Sequence, residues 1–385
     1  MKVCVINNLL EPYNRGGAGQ VALNISLGLE KSGHEIFFIS TKPFFTKPEK
    51  EKGSQKNYYI PSLFPYLNKI CKPIRLFWHC WDCLNFINYF KIKKIIKKEK
   101  PDIIITHNLK GLGFLIPCAI KKSKIKHIHY LHDLQLLHPS GLMLFGKEKK
   151  LNSVFAKLYA SICKRLFSSP DIIISPSEWL LKEHKKNNFF KESKQITLPN
   201  PAVLSHSHNS SEKKDKFRFL YVGEIEEHKG ALFLTQAFWE LKKTDAELIL
   251  IGQGKKLNRL KKETRNQMNI KIMGWQKNEI VKQAMGKADV LIMPSECYEN
   301  SPTVIYEAIG AGLPFIASRI GGTTELAKKY GGILFTPKNK NELKEKILYA
   351  MKNYEKIKKA SLEGKLKIKE LSLENYTKNL IKLIA

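Results

Sequence analysis

Short apolar runs alternate with stretches whose apolar residues recur every three or four positions, from one end of the chain to the other. Runs such as Asp289-Val290-Leu291-Ile292-Met293 have no polar face, so each predicts a strand buried on both sides in a parallel sheet. In the first half, strands are expected at 2–6, 35–39, 102–106, 127–131, 171–175 and 195–198. In the second half they are expected at 218–222, 247–251, 270–273, 289–293, 315–318 and 333–335. Amphipathic helices fill the intervals. The peptide Pro-Asp-Ile-Ile-Ile opens a strand at both Pro101 and Pro170, a convergence of strand chemistry without a repeat period. The pattern predicts an α/β chain of two Rossmann-like, doubly wound parallel-sheet domains.

A chain of 385 residues exceeds one ordinary core and divides naturally into two domains of about 190 residues. Pro199-Asn200-Pro201 and the polar, Ser- and Lys-rich stretch that follows have the composition of a linker. The expected organisation is a first domain over 1–200, a linker over 201–216 and a second domain over 217–370. A closing helix over 371–385 is expected to cross back onto the first domain. Facing domains of this kind would bring the carboxyl ends of both sheets to one cleft, where such sheets bind ligands. Seven scattered cysteines do not suggest a disulfide framework. With no signal peptide before the first strand and no apolar run of about 18 residues, a cytoplasmic protein is expected.

The net charge of +31 admits a nucleic acid, an anionic membrane surface or a polyanionic substrate, and composition does not choose among them. Lysines such as Lys121, Lys122, Lys328 and Lys329 fall on outer helix faces and contribute only a solvated background. One segment is more specific. Phe77, Trp78, Trp81, Phe86, Tyr89 and Phe90 crowd together and are followed by Lys91, Lys93, Lys94, Lys97 and Lys98. Aromatic residues beside a basic cluster suit the headgroup region of an anionic bilayer, and they suit equally a core helix with a lysine-coated exit.

The chemistry concentrates after the strand at 289–293, where Glu299-Asn300-Ser301-Pro302-Thr303-Val304-Ile305-Tyr306-Glu307 spans a loop and a helix start. Ser301 is a natural N-cap, and Pro302 suits the first helical position because its fixed φ is helical and its missing N–H has no partner there. The free amides near Thr303 and Val304 would then face out of the sheet with the positive end of the helix dipole behind them, which makes an anion site. Glu307 lies about 9 Å farther along the axis, the distance of a ribose from a phosphate held at the tip. Glu299 precedes the helix, on the side where a transferred group would sit. The spacing alone also fits a capped core helix with two solvated glutamates.

Other loops at strand ends are weaker signals. Arg15-Gly16-Gly17-Ala18-Gly19 opens a helix after the first strand, and its glycines allow backbone amides close to a phosphate or sugar. The dinucleotide fingerprint fits poorly, since the turn is too long and the second strand ends in Ser40-Thr41-Lys42 without an acidic ribose ligand. Lys229, in Gly223-Glu224-Ile225-Glu226-Glu227-His228-Lys229-Gly230, can serve as a point charge for phosphate, although most lysines are surface residues. Gly252-Gln253-Gly254-Lys255 repeats the strand-to-glycine pattern. His132 ends the fourth strand of the first half and can hydrogen bond a sugar hydroxyl or the reacting centre, or serve only the fold; His107 ends the third and can face the acceptor. Cys80 and Cys83 form a single C-x-x-C without a second pair, which argues against zinc. No Asp-x-Asp occurs, so no metal platform is expected.

The 299–307 block, with Gly310-Ala311-Gly312-Leu313-Pro314 behind it, resembles the retaining glycosyltransferases of GT-B fold, in particular glycosyltransferase family 4. The similarity extends through 15–19, 223–230, 321–325 and 331–335. The resemblance implies a nucleotide-sugar donor and no metal or other cofactor. It implies that Glu299 contacts the donor sugar and that the segment from Asn300 through Ser301, Pro302 and Thr303 to Val304 holds diphosphate and sugar. It further implies that Glu307 takes the ribose hydroxyls and Lys229 the leaving diphosphate. Gly16 and Gly17 would approach the phosphates or acceptor, and His132 would meet the sugar near the reacting carbon. Glu224 departs from the pattern, because many members carry arginine there; either another cation such as Arg15 or Lys255 substitutes, or leaving-group stabilisation is weaker. His107, from its own strand end, would face the acceptor.

The implied activity is sugar transfer to a glycan or lipid-linked acceptor in cell-surface polysaccharide or lipopolysaccharide synthesis, at the cytoplasmic face of the membrane. An isomerase or phosphorylase on the same scaffold is the alternative, since fold does not fix function. A nucleic-acid binder is disfavoured, because the aromatic residues lie in one stretch and do not interleave with basic ones. Base, sugar and linkage have no readable code in the acceptor loops at 42–66 and 134–149.

Overall fold

The computed structural model describes all residues except 14–15, 45, 47–55, 203–215, 242–244 and 385, and the side chains at 68, 69, 72, 73 and 76. Contacts divide the chain into two compact units. Unit 1 comprises Met1–Met143, Glu148–Pro201 and Tyr376–Ala385; unit 2 comprises Leu144–Lys147 and Ala202–Asn375. The expected linker falls almost wholly outside the described residues.

In unit 1 the strands are β1 (Lys2–Ile6), β2 (Glu35–Pro43), β3 (Lys56–Ser62), β4 (Ile103–Thr106), β5 (Lys126–Tyr130), β6 (Ile172–Ser175) and β7 (Lys194–Thr197). Between them run α1 (Gly17–Lys31), α2 (Lys72–Cys83), α3 (Phe86–Glu99), α4 (Ile116–Ser123), α5 (Val154–Phe167) and α6 (Glu178–Lys186). All seven strands are parallel, in the order β3-β2-β1-β4-β5-β6-β7. The isoleucine triplets of β4 and β6 are fully buried, as strands covered on both faces must be. Sequence periodicity does not mark β3, which among the described residues pairs only with β2.

Unit 2 holds β8 (Phe217–Val222), β9 (Ala246–Ile251), β10 (Ile270–Gly274), β11 (Val290–Met293), β12 (Phe315–Ser318) and β13 (Ile333–Phe335). Its helices are α7 (Ala231–Trp239), α8 (Leu257–Glu263), α9 (Asn278–Lys287), α10 (Thr303–Ala311), α11 (Gly321–Tyr330), α12 (Lys340–Lys352) and α13 (Tyr354–Lys367). These six strands are also parallel, in the order β10-β9-β8-β11-β12-β13.

The last helix, α14 (Leu373–Ile384), belongs mainly to unit 1. Its Tyr376, Leu380 and Ile384 are buried among residues of β1, β4, β5 and β6, and the Tyr376 hydroxyl donates to that of Tyr130 at 3.2 Å.

Both sheets grow outward in two directions from an inner pair, β1 beside β4 and β8 beside β11. At such a switch point the loops leaving the two strands diverge and open a crevice at the carboxyl end. In unit 2 those loops are 223–230 and 294–302, which carry Lys229 and Glu299. In unit 1 they follow Ile6 and Thr106, and His107 comes directly after β4.

Candidate active site

Beyond β11 the chain brings alternate residues together around one carboxylate oxygen. Ser295, Cys297 and Glu299 are such a set: the Ser295 hydroxyl donates to Glu299 Oε1 at 2.9 Å and the Cys297 thiol lies 3.6 Å from the same oxygen. The intervening Glu296 faces elsewhere, 3.6 Å from Lys338. Segment 144–147 braces this stretch through a bridge between Leu144 and Cys297 and a bond from the Phe145 amide to the Glu296 carbonyl.

From the neighbouring loop, Lys229 Nζ donates to that same Glu299 oxygen at 2.7 Å. The lysine is delivered by a tight turn. Gly230 has φ +76°, and a Cβ there would lie 2.0 Å from the Pro294 carbonyl oxygen, so the two switch-point loops touch backbone to backbone. Burial works to lower the Lys229 pKa, but the Glu299 carboxylate outweighs it and holds the ammonium above its ordinary value. Burial likewise works to raise Glu299, and Lys229 wins again, keeping the carboxylate below its ordinary value. Both groups are therefore charged at neutral pH. All three donors use Oε1.

Two helix starts converge on Glu299. Its carbonyl accepts the Gly322 amide of α11 at 2.9 Å, and a Cβ on Gly321, at φ +54°, would lie 2.3 Å from that carbonyl. Helix α10 begins four residues later with no side-chain cap, and α11 likewise. Here the structure corrects the sequence reading. Pro302, with extended ψ of 122°, is itself the N-cap residue, and Thr303 opens the helix. The Ser301 hydroxyl pairs with Tyr306 at 2.6 Å instead of capping. The amides of the first turn are still those of Thr303 and Val304. Glu307 lies one turn on, where burial pushes its carboxyl up to about 6 against the pull of Lys282.

Matches to known families agree with this geometry. Residues 15–206 match the model for Glycosyltransferase Family 4, and residues 205–367 match that for Glycosyl transferases group 1. The chain belongs to the GT-B glycosyltransferases of family 4. Among its relatives is a 42.6 kDa protein of the cps region of Klebsiella pneumoniae, 28% identical over 87% of this chain and 90% of that one. An Escherichia coli UDP-Gal:alpha-D-GlcNAc-diphosphoundecaprenol alpha-1,3-galactosyltransferase is 26% identical over 74% of each chain. In fold, Anabaena HepE in complex with UDP superposes with a TM-score of 0.73, covering 100% of this chain and 99% of that one at 16% identity.

In this glycosyltransferase, Lys255 stands exposed at the end of the β9 loop, with its amide on Glu226 at 2.9 Å. Arg15 lies outside the described residues. Glu224, at the family's arginine position, accepts the Tyr221 hydroxyl on its carbonyl at 2.7 Å, and its carboxylate adds to the field that raises Lys229. The local charge around Lys229 is thus set by two carboxylates.

Unit 1 gathers a different set at its own switch point. His107 and His132 meet Nδ1 to Nε2 at 2.8 Å, with His107 stacked on Tyr130 at 4.9 Å between ring centres. His107 Nε2 is buried without a hydrogen-bond partner. Burial lowers both rings, His132 to about 4, so both are neutral at pH 7. Gly16 precedes α1 as an exposed residue at φ −148°, with nothing within 4 Å of a Cβ, and Gly17 opens the helix.

Three further groups escaped the sequence reading. The Asp82 carboxyl is pushed up to about 7 by burial, despite accepting the Gly111 amide at 2.8 Å. Burial likewise pushes Asp133 up to about 6. Lys110, in the field of both, is lowered by burial and donates to the Pro139 carbonyl at 2.5 Å. Only proximity through the fold reveals them, since they are 28 and 23 residues from Lys110 in sequence terms.

Proposed function

We propose that this glycosyltransferase moves a hexosyl or related sugar from a nucleotide-sugar donor to a glycan or lipid-linked acceptor with retention of anomeric configuration. It would serve cell-surface polysaccharide or lipopolysaccharide synthesis at the cytoplasmic face of the membrane. The observation that carries the reading is the 2.7 Å pairing of Lys229 with Glu299 at the unit 2 switch point, beside the start of α10. The relatives support the substrate class. One is named for a UDP-sugar donor and a diphosphoundecaprenol-linked acceptor, and another comes from a cps region. No described helix is long and apolar enough to cross a membrane.

In this reading the diphosphate rests on the amides of Thr303 and Val304, at the positive end of α10. Lys229 supplies the compact charge, and the Glu299 bond keeps its ammonium aimed before the donor arrives. The remaining Glu299 oxygen accepts a sugar hydroxyl, and Glu307 accepts the ribose hydroxyls. As the anomeric carbon–oxygen bond breaks, its electron pair goes to the departing phosphate, while positive charge builds on the sugar. The acceptor oxygen bonds to the same face of that carbon and its proton passes to the departing phosphate. Charges fixed beforehand stabilise the phosphate without reorganisation, which is electrostatic preorganisation.

The test is release of nucleoside diphosphate from a panel of sugar nucleotides with a lipid-diphosphate-linked sugar as acceptor. K229A and E307A should each lower the rate by orders of magnitude while remaining folded. Wild-type turnover in both variants overturns the assignment.

A further inference from the structure

Helix α2 turns an apolar face to solvent. Ile74, Phe77 and Trp81, with Leu84 just past the helix end, recur at intervals of three and four, the spacing of one helical face. All are exposed, Phe77 by 73%. A helix serving only a core hides such a stripe, so the reading of this segment as a core helix does not hold for that face. Helix α3 begins the same way, with exposed Phe86, Ile87 and Phe90, the last by 62%. Its outward side then continues as Lys91, Lys94, Lys97 and Lys98, all exposed. Helix α5 adds Val154, Leu158 and Ile162 at intervals of four, exposed by 85%, 61% and 40%. It packs directly on α2, where the Cys163 and Cys83 thiols meet.

We propose that α2, α3 and α5 form a surface that rests on an anionic lipid bilayer, aromatic and aliphatic tips entering the headgroup region while the α3 lysines hold lipid phosphates. Three helices expose large apolar side chains in one unit, beyond the scattered singles of an ordinary surface. Lysine stems lie along apolar surface while their ammonium groups reach outward to phosphate, the geometry suited to an interface. Charge selects the occupant. A second copy of the chain would bring identical lysine banks together on molecules of net charge +31. On a bilayer the same charges are attracted. Along α3 the aromatic and basic residues are segregated end to end, whereas a single-stranded nucleic acid needs them interleaved. The inference does not depend on what unit 2 binds, since none of these residues belongs to that site.

The test is co-sedimentation of the full chain with vesicles of phosphatidylcholine alone and of phosphatidylcholine mixed with phosphatidylglycerol. Wild type should partition at least tenfold more strongly onto the anionic vesicles and be released by salt. Partition should fall about fivefold for each lysine removed in the series K91Q, K94Q, K97Q and K98Q. It should vanish in the F77S/W81S/F90S variant. An unchanged far-ultraviolet spectrum and an unchanged thermal shift with nucleoside diphosphate establish that the variants are folded. Equal recovery in the supernatant with both vesicle types overturns the proposal. So does a wild-type dimer in solution that F77S/W81S/F90S dissociates without altering vesicle recovery.

Discussion

At the switch point of the unit 2 sheet, a lysine is set against a glutamate, beside two helices whose N-cap residues make no side-chain cap hydrogen bond. At the corresponding point of unit 1, one imidazole is set against another and burial holds both neutral. The same strand topology thus carries two kinds of polarity. A group that departs with negative charge needs fixed positive charge near it, and in the proposed reading Lys229 with the α10 amides would meet that need in unit 2. Neutral hydroxyls need donors and acceptors without net charge, which the His107 and His132 pair can offer. Backbone packing differs as well. The unit 2 loops are pinned by glycines in contact with neighbouring carbonyls, whereas a Cβ built on Gly16 of unit 1 would meet nothing within 4 Å.

The glycines give the largest contrast. G230A forces a Cβ onto the Pro294 carbonyl at positive φ and should cost roughly 3 kcal/mol or more, read as a lower denaturation midpoint together with lost activity. G16A should stay within about 0.5 kcal/mol of wild type, and any loss of transfer there must come from a ligand that approaches the backbone.

Next in size is the charge pair. K229A should lower transfer about 100-fold or more, the scale of one lost donor to developing negative charge. H132A should lower transfer while leaving the thermal shift with nucleoside diphosphate unchanged. An equal loss of nucleotide binding in both variants would erase the distinction between the two switch points. Converting Glu224 to the family residue should sharpen it: E224R exchanges a carboxylate near Lys229 for a guanidinium and should tighten diphosphate binding about tenfold, measured by calorimetry.

The smallest effects are in pH dependence. Burial holds His107 and His132 below their ordinary 6.5, His132 at about 4, so their stabilising contribution is complete above 6.5 and lost as pH falls toward 4. His127 and His184 act alike. Asp82 and Asp133 of the same unit run the other way but are fewer. Glu307 in unit 2 is raised from 4.5 to about 6, so its ionisation removes stability as pH rises through that window. E307Q should therefore raise the melting temperature by a few degrees at pH 7 and lose that advantage below 4.5, and under the proposed function it should weaken nucleotide binding. Hydrogen exchange at pH 5 should show unit 1 peptides losing protection before those of unit 2.

Much of the fold was legible because a strand buried on both faces leaves an apolar run that nothing else explains. The exception, β3, is an edge strand with a partly exposed pattern, and Pro61 within it argues against a strand by sequence alone. At the site, the 299–307 block was legible as a strand, loop and helix start. Its cap was not, because a serine before a proline can turn its hydroxyl to a tyrosine five residues on, as Ser301 does. The Lys229–Glu299 contact spans 70 residues and depends on β8 lying beside β11. The two histidines meet only because β4 pairs with β5 in a register that sets Thr106 against His129. Period and spacing record local structure, whereas these contacts are consequences of strand order.

The most direct test is a crystal structure of the chain with the nucleoside diphosphate that gives the largest thermal shift. Phosphate oxygens are expected within hydrogen-bond distance of the Thr303 and Val304 amides and of Lys229 Nζ, with ribose hydroxyls on Glu307. A diphosphate bound away from the start of α10, with Lys229 and Glu307 untouched, would contradict the donor site.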